Sequence, residues 1–94
     1  MTSELLLDVS ELEAPDPLIK AIEAVQRLDP GTYLRFCHRM KPCHLYDHLA
    51  QRGFESDTRV GELAPCEVFI WRRGDTDAAQ AAKTAAAKLR PWKD

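Results

Sequence analysis

The segment 37–48, CHRMKPCHLYDH, concentrates the side chains best suited to chemistry: Cys37, His38, Cys43, His44 and His48. Thiolates and imidazoles are ligands for zinc, copper and iron. If a helix begins at Pro42, His44 and His48 lie one turn apart on one face and can share an ion. His38 and Cys43 would then approach from its N-terminal end. The spacing matches no standard zinc pattern, so solvated or half-buried helix residues are the simpler account. Cys43 has a second use: directly after Pro42, at a helix start, the helix dipole would lower its pKa and suit it to a sulfur or redox relay. An ordinary small residue in a first turn is the plainer alternative. Cys37 and Cys66, at strand ends, read as packing residues.

A second candidate lies in LDVSELEAPDPL, residues 7–18. A strand ends there and a helix begins, with Pro15 and Pro17 at the joint. A helix N-terminus, with free N–H groups and a positive dipole end, suits an anionic reactive group. Ala14 stands where that group would be sought, and its side chain has no nucleophile.

The elements that must position these residues follow from periodicity and punctuation. Leu5, Leu7 and Val9 alternate with Leu6 and Asp8 as a first strand, expected to be largely buried. Pro15 and Pro17 suit the first turn of a helix from about Asp16 to Leu28, with Leu18, Ile22 and Val25 inward, Ile19 beside them, and Lys20, Glu23, Gln26 and Arg27 in water. Asp29-Pro30-Gly31 stops it. Thr32 to His38 reads as a strand with Leu34 and Phe36 on one face and Tyr33, Arg35 and Cys37 on the other. A second helix is predicted from Pro42 to about Arg52, with Leu45 and Leu49 inward and Gly53 as its left-handed terminator. Phe54 to Val60 is a polar strand expected at a sheet edge, and Cys66 to Arg73 is the last strand.

After Gly74 the composition changes. The run AAQAAKTAAAKL, opened by Asp75-Thr76-Asp77, has high helix propensity but few large side chains. An alanine-rich helix this short is marginal in water unless something docks it. Strand alternation puts Tyr33, Phe69 and Trp71 on the sheet face opposite Leu34, Phe36, Val68 and Ile70. That aromatic face is a candidate interface, to be covered by the tail or by a second subunit. The expected fold is α+β: a two-layer β-α-β-α-β-β sandwich, a four-stranded mixed sheet with two helices on one face, plus the C-terminal helix. The division expected is a core over residues 1–74 and a helical extension over 75–94.

Composition narrows the function. With 94 residues, one domain is expected; 30% charged residues and a net charge of -2, the signs interspersed, offer no basic surplus for nucleic acid. No apolar run is long enough for a membrane span, and Thr2-Ser3-Glu4 before three leucines does not form a signal peptide. Three cysteines without repeated spacing fit reduced thiols, so a cytoplasmic location is expected.

From Leu5 to Arg73 the chain resembles the TusA-like (SirA-like) superfamily of small sulfur-handling domains. Asp8 matches that group's early aspartate, Leu12 lies just before the motif, and Ala14-Pro15-Asp16-Pro17 occupies its Cys-Pro-x-Pro position. The resemblance implies a fold with persulfide transfer on the motif cysteine. With Ala14 in that place, the carrier reaction is ruled out at this position. The segments LDVSELEAPDPL, HRMKPCHLYDHLAQRGF and ELAPCEVFIWRR further resemble an uncharacterised bacterial branch of the superfamily, a domain of unknown function that commonly lacks the cysteine. Members of that branch carry a histidine after the second strand and a proline before the second helix, and His38, Pro42 and Leu45 match that pattern.

The expectation is therefore a non-catalytic module acting by protein association, including self-association, or by small-ligand binding, with no cofactor. A relay through Cys43, and metal or haem binding through His38, Cys43, His44 and His48, are the alternatives.

Overall fold

The structure, a computed structural model, describes residues 2–13 and 15–93. Its elements are β1 (Ser3–Asp8), α1 (Asp16–Gln26), β2 (Thr32–His38), α2 (Leu45–Gln51), β3 (Phe54–Val60), β4 (Cys66–Arg72), α3 (Thr76–Ala86) and β5 (Arg90–Pro91). The strands form one mixed sheet in the order β1-β2-β4-β3-β5. β1 runs parallel to β2 through the α1 crossover, and the remaining pairs are antiparallel. The fold is the expected α+β sandwich, with one strand more than predicted.

One face of the sheet carries Leu34, Phe36, Cys66, Val68 and Ile70, packed against Ala21 and Val25 of α1 and Leu45 and Leu49 of α2. The alternation of β2 and β4 dictates this, since residues two apart share a face. The other face carries Tyr33, Phe69 and Trp71. These lie under α3, against Ala78, Ala82, Ala86 and Leu89. The candidate interface is thus an internal one: the chain's own tail covers it. Alanines at this spacing allow α3 to approach closely, and the aromatic rings supply the apolar area that the helix itself lacks.

α3 is anchored by Asp75. Its Oδ1 accepts the Ala78 N–H at 3.1 Å as an N-terminal cap, and its Oδ2 accepts the Gly31 N–H at 2.8 Å. Gly31 holds φ 81°, a left-handed turn that presents this N–H to the tail.

Several expectations need correction. The helix predicted from Pro42 begins at Leu45, because Pro42, Cys43 and His44 form a turn in which Leu45 N–H reaches only Pro42 O, and the His44 side chain caps nothing. α1 stops at Gln26, two residues short of Leu28, and Ile19, expected beside its inner stripe, is 48% exposed because the buried stripe runs through Pro17, Ala21 and Val25. β3, expected at an edge, lies between β4 and β5, because the chain returns after α3 to pair Arg59 with Pro91 and Val60 with Arg90. β1, expected to be largely buried, is instead the long open edge, where β2 covers one side of it and nothing pairs the other, so Leu5 and Leu6 stay exposed.

Candidate functional site

β1 and β2 run parallel, so their carboxyl ends lie side by side. The connections to α1 and α2, which carry most of the candidate residues, both leave from that end. β4 begins there as well, with Cys66 paired to His38. Ala14, which the resemblance aligns with a carrier cysteine, lies outside the described residues. Around it, Pro15 is the N-terminal flanking residue of α1 without a side-chain cap, and its carbonyl accepts the Ile19 N–H at 3.2 Å. Asp16 opens the helix, and Pro17 is buried.

His38 is turned into the sandwich. It is 7% exposed, its ring centroid 6.0 Å from that of Phe36, and its Nδ1 is buried without a hydrogen-bond partner among the described residues. Burial and then the neighbouring Arg39 charge push its pKa down, against a smaller opposing effect of a backbone hydrogen bond with Val9. Its neutral form is therefore the favoured one.

The other candidates face elsewhere. Cys43 and His44 are exposed in the turn before α2. His48 Nδ1 lies 3.1 Å from Arg52 Nη1, a group that only donates, so this nitrogen is an acceptor already in use. No group of three or more His, Cys, Asp or Glu among the described residues is arranged to hold a metal ion. The proximity of His38, Cys43, His44 and His48 in sequence is thus not matched by one shared orientation: the first points into the core, Cys43 and His44 into solvent, and half-buried His48 meets Arg52. Burial pushes the Cys37 thiol up to about 12 and the Cys66 thiol up to about 11. Thiols held so far above neutrality are poor nucleophiles. Cys43 is the exposed cysteine.

Sequence reasoning missed a wholly buried ionic group with three hydrogen-bond partners. Glu67, 0% exposed, receives the Arg35 Nε–H, and its Oε2 accepts the N–H groups of Glu62 and Leu63, each at 2.7 Å. Arg35 also lies 3.8 Å from Glu4 and over the Phe69 ring. Tyr33 donates its hydroxyl proton to the same Glu4 at 2.7 Å. Burial alone would raise the Glu67 pKa, but the hydrogen bonds from Arg35, Leu63 and Glu62 and the Arg35 charge outweigh it and hold the carboxyl below its usual value. The network braces the turn between β3 and β4: a Cβ on Gly61 would come within 2.5 Å of the Glu67 side chain. The signal for it was available, since strand alternation puts Arg35 and Glu67 on the same face.

The surface offers apolar residues more clearly than it offers a reactive centre. β1 is exposed along nearly all its length, with Leu5 at 41% and Leu6 at 51%. A shallow depression of about 550 Å³ runs along the solvent side of α3, lined by Thr76, Gln80 and Lys83 among others, and borders none of the candidate side chains. No helix among the described residues is long and apolar enough to cross a membrane.

A family described as "Uncharacterized conserved protein (DUF2249)" matches the chain over residues 6–72. No curated protein and no solved structure matches it.

Proposed function

The chain belongs to the DUF2249 family, and from that premise we propose that it is a non-catalytic module of TusA-like build that works by protein association through the open edge of β1. The element order and the Pro15-Asp16-Pro17 start of α1 support the TusA-like part of the reading. One observation carries the functional part: the candidate catalytic and ligating side chains are dispersed, whereas β1 leaves Leu5 and Leu6 exposed on an unpaired edge. Exposed apolar side chains on a free strand are a template for pairing with another chain. The reading places the module in the cytoplasm, with a protein rather than nucleic acid or membrane as its partner.

The exposure of Cys43 supports a second reading, a sulfur or redox relay. Incubation with a cysteine desulfurase and cysteine, followed by intact mass measurement, separates the two. Association without carriage leaves the mass unchanged. A gain of one sulfur atom, absent from Cys43→Ser, replaces the association reading with the relay.

A further inference from the structure

The two edges of the sheet differ in how they meet solvent. β5 is two residues long, carries a charge on Arg90, and ends in Pro91, which has no N–H to offer. β1 is six residues long and has neither proline nor lysine to blunt it. Its hydrogen-bonding pattern is fixed by β2: Ser3 N–H donates to Gly31 O at 3.1 Å and Val9 N–H to Cys37 O at 2.9 Å. In a parallel ladder the inward residues alternate, so Ser3, Leu5, Leu7 and Val9 address β2. Glu4, Leu6 and Asp8 direct their N–H and C=O groups outward.

Both acidic side chains of the strand are held within the chain. Glu4 accepts the Tyr33 hydroxyl and lies near Arg35, while the Asp8 carboxylate accepts the Ser10 N–H at 3.0 Å and its hydroxyl at 2.6 Å. What remains for a partner is the leucine pair and the row of outward backbone groups.

We infer that this edge pairs with β1 of a second copy of the chain, antiparallel, with Leu5 opposite Leu5 of the partner and Glu4 opposite Leu6 of the partner. The register follows from geometry and charge. A two-fold axis perpendicular to the sheet keeps each face continuous, so paired residues must share a face. Sliding the strands by one such step toward the C-terminus sets Glu4 against Asp8 of the partner, and one step the other way sets Glu4 against Glu4. Both confront like charges. The register centred on Leu5 avoids them, and it joins Glu4 to Leu6 by reciprocal backbone hydrogen bonds because both are outward residues. A neutral, self-complementary centre of this kind favours a second copy over a partner with a charged strand. A strand-edge contact buries little area, so the dimer is a weak one.

This inference rests on the association reading and specifies its partner. Its test is cysteine crosslinking in a Cys43→Ser background under mild oxidation. Directly opposed residues of a non-hydrogen-bonded pair have Cβ atoms about 4.5–5.5 Å apart, close to disulfide reach. Leu5→Cys should crosslink to a dimer, and Leu6→Cys should stay monomeric. Sedimentation supplies the second arm: the unaltered chain should show an average mass that rises with concentration, and Leu6→Lys, an edge charge, should hold it at the monomer. Monomers throughout, or crosslinking through Leu6→Cys as readily as through Leu5→Cys, overturn the inference. Such a result leaves the desulfurase experiment, and so the association reading itself, to be judged separately.

Discussion

Arg35 and Glu67 meet diagonally across β2 and β4, the guanidinium Nε–H donating to a carboxylate that is wholly buried. The same carboxylate gathers the backbone N–H groups of Glu62 and Leu63, so one side chain joins the central strands to the turn that precedes β4. Removing one partner of a buried pair leaves the other charged and less well solvated, and here two backbone donors lose their acceptor as well. Glu67→Ala should therefore cost about 3 kcal/mol in denaturant unfolding.

The acid limb of stability should carry the same signature. The folded carboxyl of Glu67 titrates below its unfolded value near 4.5. Its contribution is then complete above that value and is lost as pH falls through the lower, folded one. Glu67→Gln should flatten the stability profile over that acid interval. An unchanged acid limb would show that the pair contributes no differential proton binding.

His38 acts at a higher pH, with a folded pKa depressed from 6.5. The unfolded chain binds this proton first, so stability should fall as pH drops through about 6.5 and level off below the folded value. His38→Phe, which removes the unpartnered buried Nδ1, should lessen that dependence. Urea unfolding on either side of the interval checks the sign.

The thiols should separate by burial. Native protein should take up one alkylating label, at Cys43, while Cys37 and Cys66 react only on unfolding. Peptide mapping after a short exposure reads this directly, and rapid native labelling of Cys37 would contradict its burial within β2.

The tail helix is held by small-to-large complementarity. Ala82, fully buried, packs with the cluster that contains Tyr33, Phe69 and Trp71. Ala82→Leu should cost about 1–3 kcal/mol through overpacking. Removing residues 75–94 should expose Trp71, seen as a red-shifted emission against a full-length Trp92→Phe control, and should raise dye binding.

Much of this architecture was legible in the sequence because period-two alternation sorts residues without tertiary knowledge. Leu34 and Phe36 separate from Tyr33, and Val68 and Ile70 from Phe69 and Trp71, by position alone. The docking of α3 followed from a helix with too little apolar area of its own and a sheet face with too much. Strand order was not legible. β5 is a two-residue pairing that includes Pro91, too short to leave a periodic signal, yet it moves β3 inward and leaves β1 as the long free edge. The candidate site was legible as composition but not as geometry. Spacing brought His38 near Cys43 and His44 in sequence, while the end of β2 turned the first inward and the turn at Pro42 sent the others outward. Glu67 escaped notice because a single acidic residue inside the apolar run CEVFIW reads as an exposed position until its partner Arg35 is placed beside it.

The central claim, that the free edge of β1 pairs with a second copy of the chain, is tested most directly by amide hydrogen exchange across a range of protein concentrations. The N–H groups of Leu5 and Leu7 point to β2 and should exchange slowly at every concentration. Those of Glu4 and Leu6 point outward and should slow progressively as concentration rises and the edges pair. Exchange at Glu4 and Leu6 that stays fast and concentration-independent would contradict the account.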